Sequence, residues 1–213
     1  MKRLFIIISL IFLGACQGTQ STEETVESKI EARELDENVP LQKLDIDFAK
    51  ISIEIPAYYE LTTIDEMVES IQSSDLEQVD KDYRSESISQ LNNLPAGFHL
   101  YADTSNIFNT IIFVESEYIY ISKRMAGEYL AQLENYLEVQ WEGEMDSFEK
   151  VDSKYLHSKS KEIVKVSYQL NYEEASSYLT QYVVSTKDNS MAVLITSQDY
   201  IDLEKQIKEL KVL

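Results

Sequence analysis

The chain of 213 residues has one cysteine, two histidines, five glycines, and only 19 basic side chains against 38 acidic ones. Each shortage excludes something. A lone cysteine, Cys16, cannot close an internal disulfide, so any fold must rest on burial. The glycines, Gly14, Gly18, Gly97, Gly127 and Gly143, are too scattered for a phosphate-cradling loop, a dinucleotide-binding turn or a strained nucleophile elbow. A Ser-His-Asp triad would have only His99 or His157 to accept the serine proton, and neither stands at metal-ligand spacing from the other. Both read as strand-face or loop residues. The deficit of Lys and Arg gives a formal net charge of −19, which repels polyanions and excludes nucleic acid as a partner. After residue 16 no apolar run approaches the roughly 18 residues of a membrane helix. No cofactor is implied, and no internal repeat is present.

What is there begins at the N-terminus. Lys2 and Arg3 lead into the apolar run Leu4 to Leu13, which ends in Leu13, Gly14, Ala15 and Cys16. That is the layout of a secretory signal peptide. Its last four residues resemble the lipobox of bacterial lipoproteins, in which small residues admit the signal peptidase and the thiol carries the lipid. The resemblance implies a signal peptide over 1–15 and a lipidated Cys16. Cleavage would remove Lys2 and Arg3, and the remaining 17 basic and 38 acidic side chains give −21. Gln17, not aspartate, follows the cysteine, which favours the outer membrane if the source has two.

Residues 16–44 read as an acidic flexible tether. Glu23, Glu24, Glu27, Glu31, Glu34, Asp36 and Glu37 crowd a segment with few apolar residues to bury. As a random coil, some 25 such residues span roughly 25–30 Å. A single domain is expected over 45–213, large enough to bury roughly 70% of its unfolded surface.

Within that domain, Ile51, Ile53 and Ile55 alternate with polar residues and Pro56 ends the run, predicting a strand. Thr63 followed by Glu66 has capping-box spacing, and Ile64, Met67, Val68 and Ile71 make one stripe, predicting a helix from Ile64 to Ser73. In the polar stretch from Ser74 to Leu94, Leu76, Val79 and Tyr83 hint at another short helix. Phe98 to Ala102 reads as a strand, and Thr110 to Glu115 with Glu117 to Ser122 as a tight hairpin. From Met125 to Trp141, Ala126, Leu130, Leu133, Leu137 and Trp141 predict the longest helix. Strands are predicted over Phe148 to Leu156, Ile163 to Leu170, Tyr178 to Thr186 and Met191 to Thr196. The last two are joined by a turn at Lys187 to Ser190. In the second, Val164, Val166, Tyr168 and Leu170 alternate with Lys165, Ser167 and Gln169. Ser197 is expected to cap a closing helix striped by Tyr200, Leu203, Ile207 and Leu210, with Glu204 paired to Lys208. Hairpin-joined strands with interposed helices predict an α+β class: an antiparallel sheet of about six strands covered by helices.

Acidic groups and tyrosines remain as possible chemistry. Asp75, Glu77, Asp80 and Asp82 form the densest acidic cluster of the folded region, which could offer a divalent cation several oxygens but lacks the glycine of an EF-hand loop. A solvated acidic face is the plainer account, and no metal site is otherwise expected. Glu173 and Glu174 are adjacent, but no pair of carboxylates identifies itself for glycoside hydrolysis. Of the fourteen tyrosines, Tyr58, Tyr59, Tyr118, Tyr120, Tyr168, Tyr172, Tyr178 and Tyr182 lie in or beside predicted strands. They suit a half-buried sheet, or a contact surface if several point outward.

The order of these elements resembles a known fold. The early strand "ISIEIPAYY", the middle helix, the strand pair "SSYLTQYVVSTKDNSMAVLITS" and the final "YIDLEKQIKELKVL" are similar to the PsbP-like α/β/α sandwich of photosystem extrinsic subunits and many small bacterial lipoproteins. The resemblance implies a non-catalytic domain that docks on a larger partner, and carries no functional residue over. Together these readings describe a membrane-anchored, extracytoplasmic lipoprotein that contacts another envelope protein. A small-ligand or cation-binding module at Asp75 to Asp82 is one alternative, and a carboxylate-dependent glycan hydrolase another.

Overall fold

A computed structural model describes residues 39–141, 147–172 and 175–213. The signal peptide, Cys16, most of the tether, Glu173 and Glu174 lie outside the described residues. Among the described residues are two antiparallel sheets and four α-helices.

The smaller sheet has the order β1-β2-β10, from β1 (Leu41–Ile46), β2 (Ile51–Pro56) and β10 (Lys211–Val212). Residues 41–44, assigned above to the tether, are therefore the first part of a strand. β1 is added to the isoleucine strand expected from the sequence, and its inward residues Leu44 and Ile46 stand opposite Ile53 and Ile51. Those two apolar residues are the signal that the run of charges hides.

The larger sheet has seven strands, not about six, in the order β3-β4-β5-β9-β8-β7-β6. They are β3 (Tyr59–Thr62), β4 (Phe98–Asp103), β5 (Thr110–Ser116), β6 (Ser147–Ser158), β7 (Lys161–Tyr172), β8 (Ala175–Ser185) and β9 (Ser190–Ser197). All pairs are antiparallel. Side chains alternate between two faces, and both faces are covered. On the front face Ile111, Phe113, Val193, Tyr182, Val184 and Ile163 meet the isoleucines of β2 and the short helix α4 (Glu204–Glu209). On the back face, α1 (Ile64–Ser73) covers Leu100, Ile112 and Leu194, helped by Leu91. The long helix α3 (Lys123–Trp141) covers Val164, Val166, Tyr168, Leu179 and Val183. One cover of the expected α/β/α sandwich is thus mostly a second sheet.

Local expectations meet the structure unevenly. α1 has the expected bounds, and its capping box is complete: the Glu66 N–H donates to Thr63 Oγ1 (3.2 Å) and the Thr63 N–H to Glu66 Oε2 (2.8 Å). The polar stretch after it holds α2 (Gln78–Ser89), which exposes Val79 and buries Leu91 just beyond its end.

The predicted second arm of a hairpin, 117–122, forms no strand. Its alternation is real, since Ile121 is buried while Tyr118 and Tyr120 are exposed. The edge of β5 that it would need is taken by β9. Instead, the Ile119 N–H donates to Ser190 Oγ (2.8 Å), and the Ser185 hydroxyl donates to Ile119 O (2.5 Å).

The closing helix is likewise shorter than expected. Ser197 ends β9 and caps nothing; α4 begins seven residues later. The reason lies in Asp202. Among the described residues no helix is long and apolar enough to cross a membrane.

Candidate functional site

Lys165 is fully buried at the centre of the front face of β7. In the sequence it alternates with Val164 and Val166, which suggests a solvent-facing position. That inference fails because β1, β2 and α4 lie over the same face. Burying an ammonium is costly unless it is paired and hydrogen-bonded. Lys165 Nζ donates to Asp202 Oδ2 at 2.7 Å and lies 2.9 Å from Asp152 Oδ2 and 3.8 Å from Glu204 Oε2. It also stands 5.8 Å from the centre of the Tyr182 ring and 5.7 Å from that of Tyr200.

Each carboxylate has a second partner. The Tyr182 hydroxyl donates to Asp202 Oδ1 (2.7 Å), as does the Glu204 N–H (2.9 Å). Lys154 Nζ bridges Asp152 Oδ2 (2.9 Å) and Glu204 Oε2 (2.7 Å), and Lys208 reaches Glu204 Oε1 at 2.5 Å. The expected Glu204–Lys208 pair is therefore present. Asp202 is held by the sheet on both oxygens, Lys165 on Oδ2 and Tyr182 on Oδ1, and its Oδ1 also receives the first amide of α4, so the helix starts only after it.

A single extra residue brings Asp152 to this site. β6 and β7 pair regularly up to Lys150 opposite Tyr168, and the register then shifts so that Asp152 stands opposite Ser167. Tyr168 belongs to the back face and Ser167 to the front, so the bulge at Val151 turns Asp152 from the layer under α3 to the layer holding Lys165.

Burial opposes the charged forms of Lys165, Lys154, Asp152, Asp202 and Glu204, and the pairings outweigh it. Against its burial, the hydrogen bonds that Lys165 donates to Asp202 and Asp152 raise its pKa. The carboxyls of Asp202, Asp152 and Glu204 are held below their ordinary range by their lysine and tyrosine partners, against the same opposing burial. Burial, followed by the Asp202 charge, pushes the Tyr182 hydroxyl well up. Three carboxylates and three ammonium groups thus balance, with Lys165 filling the place between Asp152, Asp202 and Glu204 where a metal ion could otherwise sit. The cluster is chemically closed. It offers no nucleophile with a free base beside it.

The residues singled out from the sequence are spread elsewhere. Glu77 immediately precedes α2, Asp80 lies in its first turn, and Asp82 accepts from Gln78 Nε2 (2.8 Å). Asp80 and Asp82, two residues apart on one helix, project about 200° from each other. His99 packs its ring edgewise on Phe48 at 5.3 Å, and His157 Nδ1 lies 3.0 Å from Glu162 Oε1. Tyr59, Tyr168 and Tyr182 are core residues, while Tyr118 and Tyr120 are exposed. The signal that could have located Lys165 lies two strands away. The unbroken run Met191 to Ile195 is buried throughout, so both faces of the sheet's centre are covered.

Cyanobacterial PsbP (CyanoP) from Synechocystis superposes with a TM-score of 0.50 over 81% of this chain and 92% of that one, at 8% identity. The fold is PsbP-like. A Bacteroides thetaiotaomicron protein matches 80% of this chain and 48% of its own, at 9% identity and a TM-score of 0.42. A Pseudomonas aeruginosa protein of unknown function matches 74% and 83%, at 12% identity and a TM-score of 0.36. No protein-family model matches the chain, and no curated protein matches it. The PsbP-like likeness concerns the fold, since identity this low transfers no site.

Proposed function

We propose that this chain is a lipid-anchored extracytoplasmic module that acts by binding another envelope protein and carries no catalytic centre. The observation that supports it most is the closed state of the Lys165 cluster. The place where titratable groups converge has its charges paired and its lysine sealed from solvent, whereas catalysis needs a group whose partner is the substrate. The lipobox ending at Cys16 supplies the anchor in this reading, and the PsbP-like fold is compatible with an accessory role.

The test has two arms in the source cell. Labelling with a palmitate analogue should mark the wild-type protein, and Cys16→Ala should abolish the label and release the protein from the membrane fraction. Cross-linking of intact cells should then recover the same second protein repeatedly. Membrane retention of Cys16→Ala would refute the anchor, and repeated recovery of the protein alone would refute the docking role.

A further inference from the structure

A groove of about 270 Å³ opens between β1, β2 and α4. Lys205, on α4, and Lys211, at the start of β10, line it, and among the described residues neither has a carboxylate partner. Glu54, on β2, and Glu209, on α4, line it too and have no ion-pair partner there. Groups of both signs without an ion-pair partner thus share one concavity, where Lys43, paired with Asp45 at 3.5 Å, also lines the wall.

The exposed apolar lining is Leu41, while Ile53 and Leu210 behind it belong to the buried core. Gln206 forms part of the wall, and its Oε1 is buried without a hydrogen-bond partner. A buried acceptor left unmet is destabilising. Because the terminal amide torsion is soft, a donor entering the groove can satisfy it with little rearrangement.

We propose that this groove binds a small zwitterion: an anionic group held by Lys205 and Lys211, a cationic group held by Glu54, Glu209 and the Gln206 carboxamide, and an apolar portion against Leu41. The volume lies just below the usual lower bound of about 300 Å³ for ligand pockets, which limits the ligand to the size of an amino acid or a lipid headgroup. Both sources share the chemistry of a separated cation and anion. The proposal is independent of the anchoring and docking described above, since it uses only residues of the folded domain.

The experiment is an NMR or calorimetric titration of the full-length protein with leucine and, separately, with phosphocholine, alongside the half-ligands isovalerate and isoamylamine. One zwitterion should bind saturably with a Kd of about 1 mM or tighter, about −4 kcal/mol, and each half-ligand at least about ten-fold more weakly. Saturation by leucine identifies a free or terminal amino acid as the source; saturation by phosphocholine identifies a lipid headgroup. Lys211→Met and Glu209→Gln should each weaken binding about ten-fold with the melting temperature unchanged. Gln206→Leu should weaken it while leaving the fold intact. Failure of both zwitterions to saturate, half-ligands that bind as well as the whole, or indifference to the charge-removing variants would overturn the proposal.

Discussion

Replacing Lys165 by methionine keeps most of the side-chain length and removes the ammonium from between Asp152, Asp202 and Glu204. Breaking one side of a buried ion pair commonly costs about 3–5 kcal/mol, because the abandoned charge stays buried. Here the cost should fall near the lower end, about 3 kcal/mol. Lys154 still reaches Asp152 and Glu204, and the side chains of Asp152 and Asp202 are each about a quarter exposed. For a domain of this size each kcal/mol moves the melting temperature by about 2–4 °C, so Lys165→Met should melt about 6–12 °C lower at pH 7. The pH dependence separates electrostatics from packing. In the wild type the three carboxyls are depressed, so their stabilisation is complete above the ordinary carboxyl values of 3.8 and 4.5 and is lost as pH falls through the lower folded values. In the variant Asp202 loses its main cationic partner and Asp152 one of its two, so both can protonate to escape repulsion. The penalty should therefore shrink between pH 7 and about pH 4. Differential scanning calorimetry across that range is the assay. A loss below about 2 °C at pH 7, or a penalty that grows in acid, would refute the reasoning. Adding Asp202→Asn to Lys165→Met should recover part of the loss.

Three further outcomes can be read from urea unfolding. Thr63→Ala removes the side chain that accepts the Glu66 N–H and should cost about 1 kcal/mol, with an unchanged denaturant slope. Gly127→Ala should stabilise by up to about 1 kcal/mol, since Gly127 lies inside α3 and no atom stands within 4 Å of where its Cβ would be. Phe113→Ala empties the fully buried front layer against Tyr101 and should cost about 3–5 kcal/mol; a loss under about 1 kcal/mol would contradict the close packing described.

The parts of the fold legible in the sequence are those whose local signals agree with their tertiary surroundings. α1 carries both its capping box and its stripe, and the β8–β9 hairpin carries its turn residues between apolar runs. Misreadings arise where one local pattern serves two environments. The alternation in 117–122 is that of a strand, yet its backbone bonds go to serine hydroxyls because the neighbouring sheet edge is filled. Tyr200, Leu203, Ile207 and Leu210 are all buried, as a helical stripe would require, but Tyr200 and Leu203 reach the core from an extended segment. The Lys165 cluster was hidden for a further reason. Its members come from β6, β7, the segment before α4 and α4 itself, so only sheet order, a register shift and the docking of α4 bring them together. An acidic run such as Asp75 to Asp82 is conspicuous in sequence but dispersed by helical geometry.

The bulge in β6 has a bearing on solubility as well. β6 is a twelve-residue outer strand of the large sheet, and a strand of that length with a regular row of amide and carbonyl groups is a template on which another chain can polymerise. The irregularity between Lys150 and Asp152 breaks that row near its middle, and Lys150 and Lys154 place charge on either side. Deleting Val151 would straighten the rim while leaving Lys150 opposite Tyr168 and Asp152 opposite Ser167, so this one-residue loss would remove the sheet's guard against fibrous stacking and still leave Lys165 paired.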